Sequence, residues 1–201
     1  ITTDVKDVVF QTNPSLWLQQ WSIQTLVSSS EGMRYSAEPW GRKNFNDTFG
    51  PFFYEKYKNN LIYNVGVIAG HDAWVRDLML MIFQMSLNRP IPIVDQAVYN
   101  FLMYQSIFDN VTIHTTNRDE WAIQLGTTIH AIDSGAGDLG MSIQNDQSNR
   151  IIYQMNYLDV QPKILEDGTV VNPPFDTPFA VVHQYDRVHG LKEKIWEKYG
   201  D

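Results

Sequence analysis

The sequence contains no cysteine, which excludes a disulfide-stapled scaffold, a thiolate metal site and a cysteine nucleophile. Positive charge is scarce: 15 Lys and Arg stand against 23 Asp and Glu, for a formal net charge of −8. A basic face supplies most of the affinity in non-specific nucleic-acid binding, so the balance argues against that class. No apolar run approaches the ~20 residues that a membrane-crossing helix needs. Lack of cysteine leaves the compartment open, because many secreted proteins also have none. Two sequons, Asn46-Asp47-Thr48 and Asn110-Val111-Thr112, favour the secretory pathway (the Golgi lumen) or the extracellular space and would accept N-glycans there.

What the chain does have is apolar material for a core. Its 201 residues are 43% hydrophobic and 13% aromatic, enough for one sizeable α/β domain or a large part of one. It opens at Ile1 inside what reads as a strand end, and the expectation is of a processed or excised piece. Pro14-Ser15 can start a helix that Leu16, Trp17, Gln20, Trp21, Gln24 and Leu26 carry to about Val27, although Thr25 to Ser29 reads equally as a short strand. Met33 to Tyr57, rich in Gly, Pro, Asn and aromatics, predicts a long loop. Leu61 to Gly70 reads as a buried strand. Trp74, Leu78, Met81, Ile82 and Met85 recur at helical spacing after an Asp72 cap. Asn88 to Pro92 makes a connection, and Asp95 caps a second helix with Val98, Phe101 and Leu102 on its buried face. Val111 to Thr116, Trp121 to Ile132, Ile151 to Tyr157 and Phe179 to Val182 predict short strands between turns such as Glu166-Asp167-Gly168 and Asn172-Pro173-Pro174. Leu191 to Tyr199 predicts a last helix.

The first eleven residues, ITTDVKDVVFQ, carry the most chemistry. Asp4 and Asp7 stand three apart against strand-forming residues. Closely spaced carboxylates at a strand edge suit a hard divalent cation, Mn²⁺ or Mg²⁺, which takes oxygen ligands and keeps positions open for substrate phosphates. The plainer reading is a turn, where Asp is common.

Four segments in order resemble the GT-A type nucleotide-sugar glycosyltransferases over nearly the whole chain. TDVKDVVFQTNPSLWL is similar to the family's metal motif, apolar stretch and aromatic-Pro turn, but its aspartates are separated by two residues, Val5 and Lys6, instead of one. YNVGVIAGHDAWV looks like the Asn-x-Gly strand before a helix. VDQAVYNFLMY looks like the Asp-Gln helix start beside the reacting sugar, and PFAVVHQYDR resembles the late strand whose His completes the metal site in glycogenin-like members.

The resemblance implies an α/β fold with a mixed central sheet flanked by helices. It implies that residues 1–201 form one glycosyltransferase-like domain, the C-terminal two-thirds of a GT-A domain that is incomplete at its N-terminus. The missing nucleotide-binding unit would come from a preceding segment or another chain. The implied activity is metal-dependent transfer of a sugar from a nucleoside-diphosphate sugar to an acceptor hydroxyl on a glycan or protein. Such a reaction needs the leaving diphosphate neutralised by a carboxylate-held cation. Asp4, Asp7 and His183 would hold it, His183 being delivered by the strand Phe179 to Val182 and ordered by Gln184, Tyr185 and Asp186. A satisfied histidine is the competing reading. Lys6, Arg187 and Lys192 are candidates for the diphosphate, with Arg187 favoured for its bidentate fork. Asp95 and Gln96 would act at the reacting sugar, although Asp95 also suits an ordinary cap. Asn64 and Gly66 would line the donor side, and Glu31, Glu38, Trp40 and Asn44 the acceptor side. His189 is expected to be exposed. Two alternatives stand beside this reading. One is a non-catalytic glycosyltransferase-like module for carbohydrate binding or assembly. The other is a metal-dependent phosphohydrolase, for which the carboxylates and histidines are too sparse.

Overall fold

The computed structural model describes residues 1–21, 25–89, 91–135 and 147–200; Gln24 and Pro90, expected in the first helix and in the connection, lie outside the described residues. The fold is mixed α/β. Its described strands divide among three sheets, of which two are mixed. In the first sheet, β1 (Thr2–Thr3) pairs antiparallel with β4 (Leu61–Gly70), β4 pairs antiparallel with β3 (Leu26–Arg34), and β3 pairs parallel with β5 (Thr112–Thr115). In the second, β10 (Val181–His183) lies between antiparallel β2 (Val8–Phe10) and parallel β6 (Ala122–Gln124). The third is a small antiparallel sheet of β7 (Lys163–Ile164), β8 (Val170–Asn172) and β9 (Thr177–Pro178).

The first two sheets are joined by apolar packing. Val27, Val67 and Ala69 from one meet Trp121, Ala122, Ala180 and Val181 around the other. On the far side, Leu78 and Ile82 of α4 (Asp72–Ser86) and Val98, Tyr99 and Leu102 of α5 (Asp95–Met103) cover Leu26 and Ile68. Strand β3 is thus closed in on both faces, and its first eight residues are buried. That is why it does not alternate apolar and polar residues as a half-exposed strand does. Its buried hydroxyls find partners: Tyr99 Oη donates to Ser28 Oγ, and Thr115 Oγ1 donates to Ser29 Oγ at 3.3 Å.

Several expectations are corrected. The helix starting at Pro14 is short, α1 (Pro14–Leu18), capped by Asn13, whose Oδ1 accepts from Ser15 N at 3.0 Å; the chain is already in β3 by Leu26. The expected loop 33–57 instead contains the end of β3 and two helices, α2 (Pro39–Phe49) and α3 (Pro51–Tyr57). Each carries Pro in its first turn, where proline starts a helix rather than breaking it, and Phe45, Tyr54 and Tyr57 bury an aromatic face against Tyr35 and Ile62. Residues 151–157, expected as a strand, belong mostly to the helix Gln147–Asn156. Its Tyr153, with Tyr157 four residues on, is buried beside Met33 and Ile132. Of the stretch 121–132, only β6 is strand; a 3₁₀ turn and α6 (Ile129–Asp133) follow. His71, not Asp72, caps α4, its Nδ1 accepting from Ala73 N at 3.3 Å. Val94 holds the cap position of α5, and Asp95 is the first helical residue. The last helix, Leu191–Tyr199, falls as expected. No described helix is long and apolar enough to cross a membrane.

Candidate metal centre

The segment from Asp4 to Asp7 passes from the first sheet to the second. Asp4 N still donates to Gly66 O at 2.9 Å, extending the β1–β4 ladder. Asp7 O accepts from Gln184 N at 2.8 Å, beside the pairing of Val8 with His183. A two-residue separation of the aspartates therefore bridges two sheets. His183 ends the middle strand of the second sheet, 98% removed from solvent at its side chain, and points at both carboxylates. Its Nε2 lies 3.2 Å from Asp4 Oδ2 and 3.6 Å from Asp7 Oδ1, and one ligand atom from each residue falls within 4.8 Å of the others.

Register orients the imidazole. His183 is paired with Gln124 on parallel β6, and its Nδ1 meets Gln124 Oε1 at 2.6 Å. A proton on Nδ1 shared with that oxygen leaves the lone pair on Nε2 facing the carboxylates. That buried Nε2 has no hydrogen-bond partner, because its approach to Asp4 is close without being aligned. An orphaned ring nitrogen between two carboxylates fits a cation better than it fits a finished hydrogen-bond network. Exposure is graded, from 2% at the His183 side chain through 14% at Asp7 to 59% at Asp4, so the site opens to solvent on the Asp4 side. The charges follow. With no cation bound, an imidazole that carries a proton on Nε2 toward Asp4 holds the Asp4 carboxyl below its ordinary value, whereas burial pushes Asp7 up, with Asp186 and Asp4 adding to the rise and His183 and Arg187 opposing it.

Gly66 makes the closure possible. A Cβ there would stand 2.4 Å from His183 Cε1 and 2.7 Å from Asp4 Oδ2, closer than such atoms approach. Gly66 sits in a bulge of β4, where pairing with β3 jumps from Ser28↔Ile68 to Ser29↔Asn64. Side chains take up the freed backbone donors: Gly66 N donates to Asn64 Oδ1 at 2.7 Å and Val65 N to Gln96 Oε1 at 2.9 Å. After His183 the chain turns through Gln184 at φ 60°, a strained conformation for a residue with a side chain. Gln184 Oε1 accepts from Gly126 N at 3.0 Å.

The remaining expected residues divide. Asn64 and Gln96 both donate to buried Glu31 Oε1, at 2.7 and 2.9 Å, and Gln96 also donates to Tyr63 O at 3.0 Å. Burial, with Glu38 nearby, raises the Glu31 carboxyl to about 7. Glu38 is buried as well; it accepts from Trp40 N and Gly41 N and so caps α2. Arg187 is near enough for its charge to act on Asp7, and its Nε lies 3.5 Å from Asp186 Oδ1. Lys6 is exposed, and its backbone carbonyl accepts from Tyr185 Oη at 3.2 Å. Asp95 is exposed and accepts from Gln96 N at 3.0 Å, which places it one residue from the Glu31 network. Trp40 and Asn44 line a separate groove of about 250 Å³ with Lys43, Asp47, Ile91, Pro92 and Ile93. A larger groove of about 530 Å³ between α2 and α3 contains none of the expected site residues. Of the sequons, Asn46 is half-buried inside α2, whereas Asn110 is exposed in a turn.

Gln124 is the residue that sequence reasoning missed. The available signal was a polar residue closing the apolar run Trp121 to Ile123, as His183 closes Phe179 to Val182; only strand pairing joins the two.

Comparison with known proteins gives no match: no family model fits the chain, and no curated protein or solved structure aligns with it.

Proposed function

We propose that this chain carries the cation half of a metal-dependent glycosyltransferase site of GT-A type, moving a sugar from a nucleoside-diphosphate sugar to an acceptor hydroxyl. One observation carries the reading: Asp4, Asp7 and His183 converge although His183 is remote from the aspartates in sequence. Two carboxylates and one imidazole suit Mn²⁺ somewhat better than Mg²⁺, because a nitrogen ligand favours the softer ion. When bound, such an ion supplies Lewis-acid neutralisation of the leaving diphosphate. The protein's part is to hold Asp7 and His183 rigidly while exposed Asp4 leaves room for the phosphates. Arg187, close to Asp7, adds a positive charge on that side. In this reading Asp95, at the start of α5, meets sugar hydroxyls, and the acceptor lies toward Trp40.

Calorimetry with Mn²⁺, followed by uridine and guanosine diphosphates, tests this. Expected are loose Mn²⁺ uptake by the chain alone, tightening with a nucleoside diphosphate, and loss of uptake in His183→Ala and Asp7→Asn. Mn²⁺ uptake unaffected by either substitution would sink the site. Nucleotide and sugar binding without transfer, by a chain supplied with any preceding segment, would favour the non-catalytic module.

A further inference from the structure

We infer that Glu31 is a positioning residue of the cation site, fixing through Asn64 and Gln96 the β4 bulge on which Asp4 and His183 close. The inference rests on the cation reading above. Three hydrogen bonds run in series from Glu31 to a ligand: Asn64 Nδ2 donates to Glu31 Oε1 at 2.7 Å, Gly66 N to Asn64 Oδ1 at 2.7 Å, and Asp4 N to Gly66 O at 2.9 Å. A parallel branch holds the neighbouring residue, since Gln96 Nε2 donates to the same Glu31 oxygen while its Oε1 accepts from Val65 N. Both bulge donors thus depend on amides that Glu31 holds, that of Gln96 together with Tyr63 O. Gly66 in turn abuts the His183 ring.

Glu31 itself is anchored from behind, its backbone carbonyl accepting from Thr127 Oγ1 at 2.7 Å. A carboxyl 91% removed from solvent is an expensive way to fill space, and an apolar residue of its size would pack more favourably. What an apolar residue lacks is an acceptor that can take two amide donors at once. Because Gln96 is the second residue of α5, the same oxygen also ties the start of that helix, with Asp95, to the bulge. Among the described residues no hydrogen bond or ion pair joins Glu31 to the ligand atoms directly, so its effect on the cation is geometric.

Mn²⁺ titration calorimetry on the full chain, with melting curves as a control for folding, tests the assignment. Glu31→Ala should weaken Mn²⁺ binding about 10- to 100-fold, the range found when a partner that orients a metal ligand is removed. Glu31→Gln keeps an oxygen that accepts from both amides and should hold the parent affinity. A folded Glu31→Ala that binds like the parent overturns the inference, as does a Glu31→Gln as weak as the alanine variant. Should Glu31→Ala fail to fold, Gln96→Met decides: it cuts one branch at similar volume, and unchanged Mn²⁺ affinity there overturns the inference. A parent that takes up no Mn²⁺ overturns the cation reading and this inference with it, whereas a binding parent matched by every folded variant overturns this inference alone.

Discussion

Glu31→Gln should flatten the pH dependence of stability between about pH 4.5 and pH 7. Glu31 titrates near 4.5 when free and is raised to about 7 in the fold by burial and by Glu38. Its folded pKa lies above its unfolded one, so across that window the native state binds the extra proton. Stability therefore falls as pH rises from about 4.5 to about 7, and the loss is complete above the folded pKa. A rise from 4.5 to about 7 is worth ~3 kcal/mol. Glutamine fills the same space, accepts from Asn64 and Gln96, and never ionises. Chemical unfolding of parent and variant at pH 4, 5, 6, 7 and 8 reads the difference directly, because other titrating groups cancel to first order. The variant should gain on the parent as pH rises, by ~3 kcal/mol at most. A stability difference that stays constant across the series would show that Glu31 titrates alike in the folded and unfolded chain, and the account of its burial would be wrong.

Gly66→Ala should cost ~1–3 kcal/mol through overpacking, and Mn²⁺ affinity should fall with it, because the new Cβ drives His183 and Asp4 apart; calorimetry showing intact affinity would refute the close approach. Asp95→Ala should leave the melting temperature nearly unchanged, since Asp95 is exposed and its described bond is a local one to Gln96 N, and such surface changes are usually within ~0.5 kcal/mol. In a complete enzyme the same change should abolish sugar transfer, and loss of fold and turnover in proportion would instead mark Asp95 as a plain helix-start residue.

The sequence by itself determined four of the longer elements and the chemistry near some of their ends. β4, α4, α5 and the last helix each carry a hydrophobic period strong enough to outweigh local ambiguity. Asp4 and Asp7 were legible because two carboxylates beside a strand are rare enough to notice, and His183 because it closes an apolar run. Residues 33–57 misled because Pro, Gly and Asn mark helix starts as well as loops; packing of Phe45, Tyr54 and Tyr57 decided between them. Residues 151–157 misled because β-branched and aromatic residues favour strands on average, whereas burial of Tyr153 and Tyr157 at helical spacing won. Tertiary structure alone decided that the strands split into three sheets, that the Asp4–Asp7 step crosses between two of them, and that Gln124 orients His183. It alone joined Glu31 to Asn64 and Gln96. A strand's side-chain period records which residues are buried but not which strand lies alongside, so contacts between residues far apart in the chain have no trace in any local pattern.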